Sequence, residues 1–128
     1  FGLSYAEFVY ADLKLSRTDL RIGDTLAVSV RVTNRGGMAA DEVVQLYVRD
    51  LVGNVTRPVR ELKGFQRVGL QPGETATVEF TLRGEDLAFF GRDNTLMIEP
   101  GEFHLWVGGS SQAGLRAAFR LVDAGASP

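Results

Sequence analysis

The 128-residue chain has no cysteine, and histidine and tryptophan occur once each. Without cysteine there can be no disulfide, no thiol nucleophile and no thiolate metal site. Many secreted proteins also lack cysteine, so secreted, periplasmic and cytoplasmic locations all stay open. His104 is the sole imidazole, so it has no partner for a paired metal site, and any Ser–His–Asp constellation would have to use it. Lysine is nearly absent: Lys14 and Lys63 are the only two, and the other cations are arginine, a bias that fits a GC-rich bacterial genome. No apolar run approaches the roughly 20 residues that cross a bilayer, and no signal peptide is visible. Fourteen basic and sixteen acidic side chains give a formal net charge of −2. That balance offers no attraction to nucleic acid or to an anionic membrane.

What the chain has in quantity is period-two alternation. In "TLAVSVRVTN", Leu26, Val28, Val30 and Val32 fall on one phase, and Ala27, Ser29, Arg31 and Thr33 on the other. Arg31 and the hydroxyls belong in water, so this strand has one buried and one wet face. The same rule points Val44, Leu46 and Val48 inward, then Ala76, Val78, Phe80 and Leu82. Phe103, Leu105 and Val107 follow, and finally Leu115, Ala117, Phe119 and Leu121. The first strand, "EFVYADLKLS", changes phase between Tyr10 and Leu13, which predicts a bulge or a move between sheets. Turns are expected at Gly23-Asp24, Asn34 to Gly37, Pro72-Gly73 and Pro100-Gly101. Only "GEDLAFF" reads as a helical turn. About seven short strands without an amphipathic helix predict an all-β, antiparallel two-sheet sandwich of the fibronectin type III or immunoglobulin kind.

A search for chemistry along these strands returns bland answers. His104 lies on the polar phase of its strand, and Ser110-Ser111 follow two glycines in a hairpin turn. The acidic pairs Asp41-Glu42 and Glu85-Asp86 are expected in turns, pointing into solvent, with no cleft to separate their pKa values. "GRDNT" around Asp93 carries oxygen ligands but lacks the alternating spacing of a calcium loop. In "TRPVRELKGFQR", Arg57, Arg60, Lys63, Phe65 and Arg67 faintly resemble a nucleic-acid surface, yet Glu61 and the overall acidity favour a solvated strand face. Asn54-Val55-Thr56 is a glycosylation sequon on a loop. A glycan platform would need aromatics displayed to solvent, and Tyr47 and Trp106, on the outer phases of their strands, are the contact candidates, with Phe89-Phe90 beside them. No cofactor is implied.

Taken in order, "GLSY", "VRVTNRGGMAADEVVQLYVRD", "RPVRELKGFQRVGLQPGET" and "EPGEFHLWVGGSS" resemble the C-terminal fibronectin type III-like domain of glycoside hydrolase family 3 enzymes, the β-glucosidases and their relatives. The resemblance runs from Gly2 to about Val122. In that family "GLSYT" closes an α/β domain and leads into the fibronectin-like module. Gly2, Leu3, Ser4 and Tyr5 match it, with Ala6 where threonine is usual.

The resemblance implies a fragment: residues 1–5 end an interdomain joint, 6–122 form the domain, and 123–128 are a flexible tail. It implies that the parent is a retaining β-glycosidase whose aspartate nucleophile and glutamate acid/base both lie upstream, so that no residue here is catalytic. The expected partners are the catalytic domains of the same chain, buttressed through Gly2, Leu3, Ser4, Tyr5, Phe89 and Phe90. A polysaccharide, anchored by this domain as a carbohydrate-binding module, is the alternative.

Overall fold

Strand β3 (Thr25–Asn34) sits at the centre of a three-stranded sheet, between β1 (Phe8–Leu15) and β6 (Thr75–Arg83). Its inward set, Leu26, Val28, Val30 and Val32, is at most 1% exposed, as the alternation predicts. In a computed structural model, residues 6–21, 23–50, 61–87, 89–90, 96–97, 101–109 and 114–122 are described. The second sheet has five strands in the order β2-β10-β9-β4-β5. They are β2 (Asp19–Arg21), β4 (Ala40–Asp50), β5 (Glu61–Leu70), β9 (Gly101–Gly108) and β10 (Leu115–Val122). A turn of 3-10 helix over Gly84–Leu87 follows β6. Next come β7 (Phe89–Phe90) and β8 (Leu96–Met97), a two-residue antiparallel pair outside both main sheets.

The two sheets enclose one apolar core. Val44, Leu46 and Val48 from β4 meet Phe103, Leu105 and Val107 from β9, and Val78, Phe80 and Leu82 close it from β6. Phe103 and Phe119 stack across β9 and β10 with ring centroids 5.3 Å apart and planes 12° from parallel. That offset arrangement adds about 1 kcal/mol beyond the buried area. Ala76, Leu115 and Ala117, expected inward, pack at the margin of the core and are only partly buried.

Strand β1 does both things that its phase change allows. Its pairing with β3 slips between Ala11 and Lys14, and Asp12 there takes φ 57°, a left-handed conformation that short polar side chains tolerate. After Leu15 the chain leaves the three-stranded sheet and, as β2, joins the edge of the other one. There it runs parallel to β10, with Asp19, Leu20 and Arg21 opposite Arg120, Leu121 and Val122. This short parallel pair departs from the all-antiparallel expectation. It arises because β2 reaches β10 from the opposite sheet rather than through a hairpin.

A second bulge lies in β5. Leu46 pairs with Gly64 and Tyr47 with Leu62, so Lys63 is the extra residue. On either side of it Gln66 and Gly64 face inward, while Arg67, Phe65 and Leu62 face out. An added Cβ at Gly64 would stand 3.1 Å from the Phe80 ring, a tight contact that would require the ring to shift by a few tenths of an ångström.

Candidate functional site

The described residues assemble no catalytic constellation. Among them, no three His, Asp or Glu side chains gather closely enough to hold a metal ion. No helix among them is long and apolar enough to cross a membrane. His104 is half-buried on the outer face of the five-stranded sheet, edge-on to Trp106 with ring centroids 5.8 Å apart. The sequon, Arg57, Arg60, Asp93 and Ser110-Ser111 lie outside the described residues.

Asp41 and Glu42 depart from expectation. They are not turn residues but belong to β4, on opposite faces of the sheet. Asp41 is exposed. Glu42 shares the inward phase of Val44 and reaches the open end of the sandwich, where its Oε2 accepts a hydrogen bond of 2.7 Å from the Tyr10 hydroxyl. Burial chiefly, then the hydrogen bond to Glu42 and its negative charge, push the Tyr10 phenol well above its ordinary pKa. The phenol therefore remains a donor. A side-chain carbon at Gly109 would stand 2.6 Å from Glu42 Oε2, so that glycine makes room for the carboxylate. Strand β1 is in this way tied to β4 of the other sheet, a structural bond rather than an acid–base pair.

Asn34 forms a second polar junction and is the one fully buried polar residue among those described. Its Nδ2 donates to the carbonyls of Met38 at 2.9 Å and Leu70 at 3.1 Å. Its Oδ1 accepts from the backbone N–H of Gly36 at 2.9 Å and of Glu7 at 3.4 Å. The Asn34 backbone bonds Glu74 and Gly73, and the neighbouring Arg35 N–H donates to the Glu7 carbonyl at 2.7 Å. One residue thus pins the start of β1, the bend before β4 and the end of β5 through its side chain, and the turn before β6 through its backbone. The sequence signal was Asn34 at a turn, which gave its position but not its burial.

The glycan candidates meet mixed surroundings. Tyr47 and Trp106 are directly opposite each other across β4 and β9, on the outer face as their phase predicts. Trp106 is nevertheless only 8% exposed and is not displayed to solvent. Alternation fixes a side chain's face but not what neighbouring side chains cover it. Tyr47 is half-buried, and its hydroxyl donates to Gln45 Oε1, while Gln45 Nε2 donates to the Gly109 carbonyl at 2.8 Å. Also on this face is Arg49, whose Nε is the one buried side-chain nitrogen or oxygen among the described residues without a hydrogen-bond partner.

The displayed apolar residues are different ones. Phe65 is 66% exposed, Leu62 49%, Met38 45% and Val43 37%. Sequence reasoning placed Phe65 on a solvated face and passed over the other three. The signal was present in "ELKGFQRV", where Leu62 and Phe65 break the alternation, but the Lys63 bulge hides their common face.

Of the docking candidates, Gly2, Leu3, Ser4 and Tyr5 lie outside the described residues. Phe89 and Phe90 pair through their backbones with Met97 and Leu96.

Two sheets packed over one apolar core in this strand order define a β-sandwich module. The chain belongs to the fibronectin type III-like domain family, whose model matches residues 42–111. Domains of this kind form the C-terminal part of glycoside hydrolase family 3 β-glucosidases and β-xylosidases. A β-xylosidase of Formosa agariphila is 48% identical over 113 residues, covering 88% of this chain and 16% of that protein. Thermostable β-glucosidase B of Acetivibrio thermocellus is 44% identical over 112 residues, covering 87% of this chain and 15% of that protein. Among solved structures, a β-glucosidase from Erythrobacter marinus superposes with a TM-score of 0.85 at 41% identity, covering 95% of this chain and 16% of its own. β-Glucosidase 3B from Thermotoga neapolitana gives 0.80 at 38% identity, covering 94% and 16%. The chain therefore spans about one sixth of the length of the relatives it matches.

Proposed function

We propose that this chain is a non-catalytic accessory domain of a glycoside hydrolase family 3 β-glucosidase-like enzyme, and that it buttresses the catalytic domains of the same polypeptide. One observation carries this reading: over nearly its whole length the chain matches the C-terminal part, about one sixth, of such hydrolases. The parent would cleave β-linked glycosides with retention, using an aspartate nucleophile and a glutamate acid/base in its upstream domains. Gly2, Leu3, Ser4, Tyr5, Phe89 and Phe90 remain proposed contacts in that arrangement. Burying apolar surface against the neighbours stabilises the whole enzyme and fixes how its domains face each other. The test is removal of residues 6–122 from the full-length enzyme, which is expected to lower its melting temperature, soluble yield and turnover together. Unchanged values for all three would end the proposal.

A second reading, glycan anchoring, is favoured by the exposed ring of Phe65 near Tyr47. Electrophoresis of the 128-residue chain through gels with and without β-glucan or xylan tests it. Retardation by one polysaccharide supports anchoring, and equal mobility in every gel removes it.

A further inference from the structure

We infer that the outer face of the β4–β5 hairpin, centred on Val43, Leu62 and Phe65 with Met38 at its end, is the surface on which the preceding catalytic part of the same enzyme seats. This rests on the buttressing role above and names its contact face. All four large apolar side chains that are exposed among the described residues belong to this hairpin or to the bend leading into it. The pairing register puts three of them on one face: Val43 is opposite Arg67, Phe65 opposite Gln45, and Leu62 opposite Tyr47. From the level of Val43 to that of Tyr47 the stripe is about 13 Å long. The outer face of the three-stranded sheet, by contrast, carries Arg31, Thr77, Glu79 and Thr81 and displays no large apolar residue.

The occupant follows from where the chain arrives. Glu7 leads into β1, and Asn34 and Arg35 hold it, while the same Asn34 side chain holds the Met38 and Leu70 carbonyls at the mouth of the β4–β5 hairpin. In the matching hydrolases this domain is the C-terminal part, so what precedes it is the rest of the enzyme. Its polypeptide is delivered beside Met38, at one end of the stripe. Size points the same way. A free-standing dimer uses roughly 20–30 residues a side, far more than this stripe supplies. A tethered neighbour needs less, because the linker holds it at an effective concentration of about millimolar. The partner surface should be apolar at its centre and carry hydrogen-bond acceptors for Arg67 at its rim.

Hydroxyl-radical footprinting tests the inference, comparing the full-length enzyme with the 128-residue chain. Several-fold slower labelling of Leu62 and Phe65 in the full-length enzyme, with Arg31 unchanged, is the expected result. Equal labelling of Leu62 and Phe65, with slowing at Arg31 or elsewhere in the domain, would overturn this face and leave buttressing intact. No slowing anywhere in the domain would overturn both. Labelling of Leu62 and Phe65 in the 128-residue chain that accelerates on dilution would assign the stripe to a second copy and overturn the inference as well.

Discussion

Replacing Asn34 by alanine removes a side chain that makes two donor and two acceptor contacts from a position with no solvent exposure. Of these four contacts, the one to the Leu70 carbonyl is fully buried and the other three are partly buried. Stranding a buried polar group costs about 1–3 kcal/mol, and each of the remaining hydrogen bonds contributes about 0.5–1.5 kcal/mol net. The long contact to Glu7 counts least. Asn34→Ala is therefore expected to lose about 3–5 kcal/mol, a fall of about 10–20 °C in melting temperature for a domain of this size. Urea denaturation followed by Trp106 fluorescence measures it, with the denaturant slope checked for constancy.

Asn34→Asp sharpens the test. The carboxylate would face the Met38 and Leu70 carbonyls in a buried site, so its folded-state pKa would be raised above the unfolded value of about 3.9. Its deficit would be smallest below the unfolded pKa and would grow as pH rises through the folded one. A loss below about 1 kcal/mol for Asn34→Ala would mean that water replaces the amide freely, and the junction would then be no clamp. A pH-independent deficit for Asn34→Asp would refute the burial argument.

Two further outcomes are expected. Val30→Asp puts an unpaired charge at a core position that is 1% exposed, and it should abolish the folded circular dichroism spectrum; a variant that melts with the wild type would show the inward phase of β3 to be wrong. Tyr10→Phe should cost about 1–2 kcal/mol at neutral pH, since the lost bond ends on a half-buried carboxylate. Because the Tyr10 pKa is raised on folding, its contribution is complete below the ordinary phenol value of about 10 and disappears as pH climbs through the folded one. Alkaline titration of stability should therefore be steeper for the wild type than for Tyr10→Phe, and parallel curves would contradict the assignment.

The sandwich was legible where one face of a strand is wet and the other dry. Strands β3, β4, β6 and β9 announce their inward residues, because Arg31, Gln45 or Glu79 stands between apolar neighbours. The phase change in β1 announced the bulge at Asp12. Strand β5 was opaque for a physical reason: with the sheet edge exposed on one face and a bulge at Lys63, its apolar and charged residues follow no single period. The polar junctions were equally hidden. Asn34 and Glu42 have residue types that favour turns and solvent, and only the convergence of distant segments gives them buried partners. Trp106 shows the remaining gap, since its outward phase was correct while its covering depends on neighbouring strands.

The move of β2 from one sheet to the other bears on the order in which the molecule can assemble. Among the described residues its strand partner is β10 alone, and Arg120 N–H donates to the Thr18 carbonyl where the two meet. A segment made early must therefore wait for one made near the end. Pairings between distant parts of the chain require closure of long loops before any contact rewards them, which slows folding into the millisecond-to-second range. Until β10 arrives, Leu20 has no complete site to occupy, although it is fully buried in the finished fold. The domain should thus gain its last strand pair late in synthesis, and a nascent chain halted before Leu115 should remain sensitive to proteolysis around Thr18–Arg21.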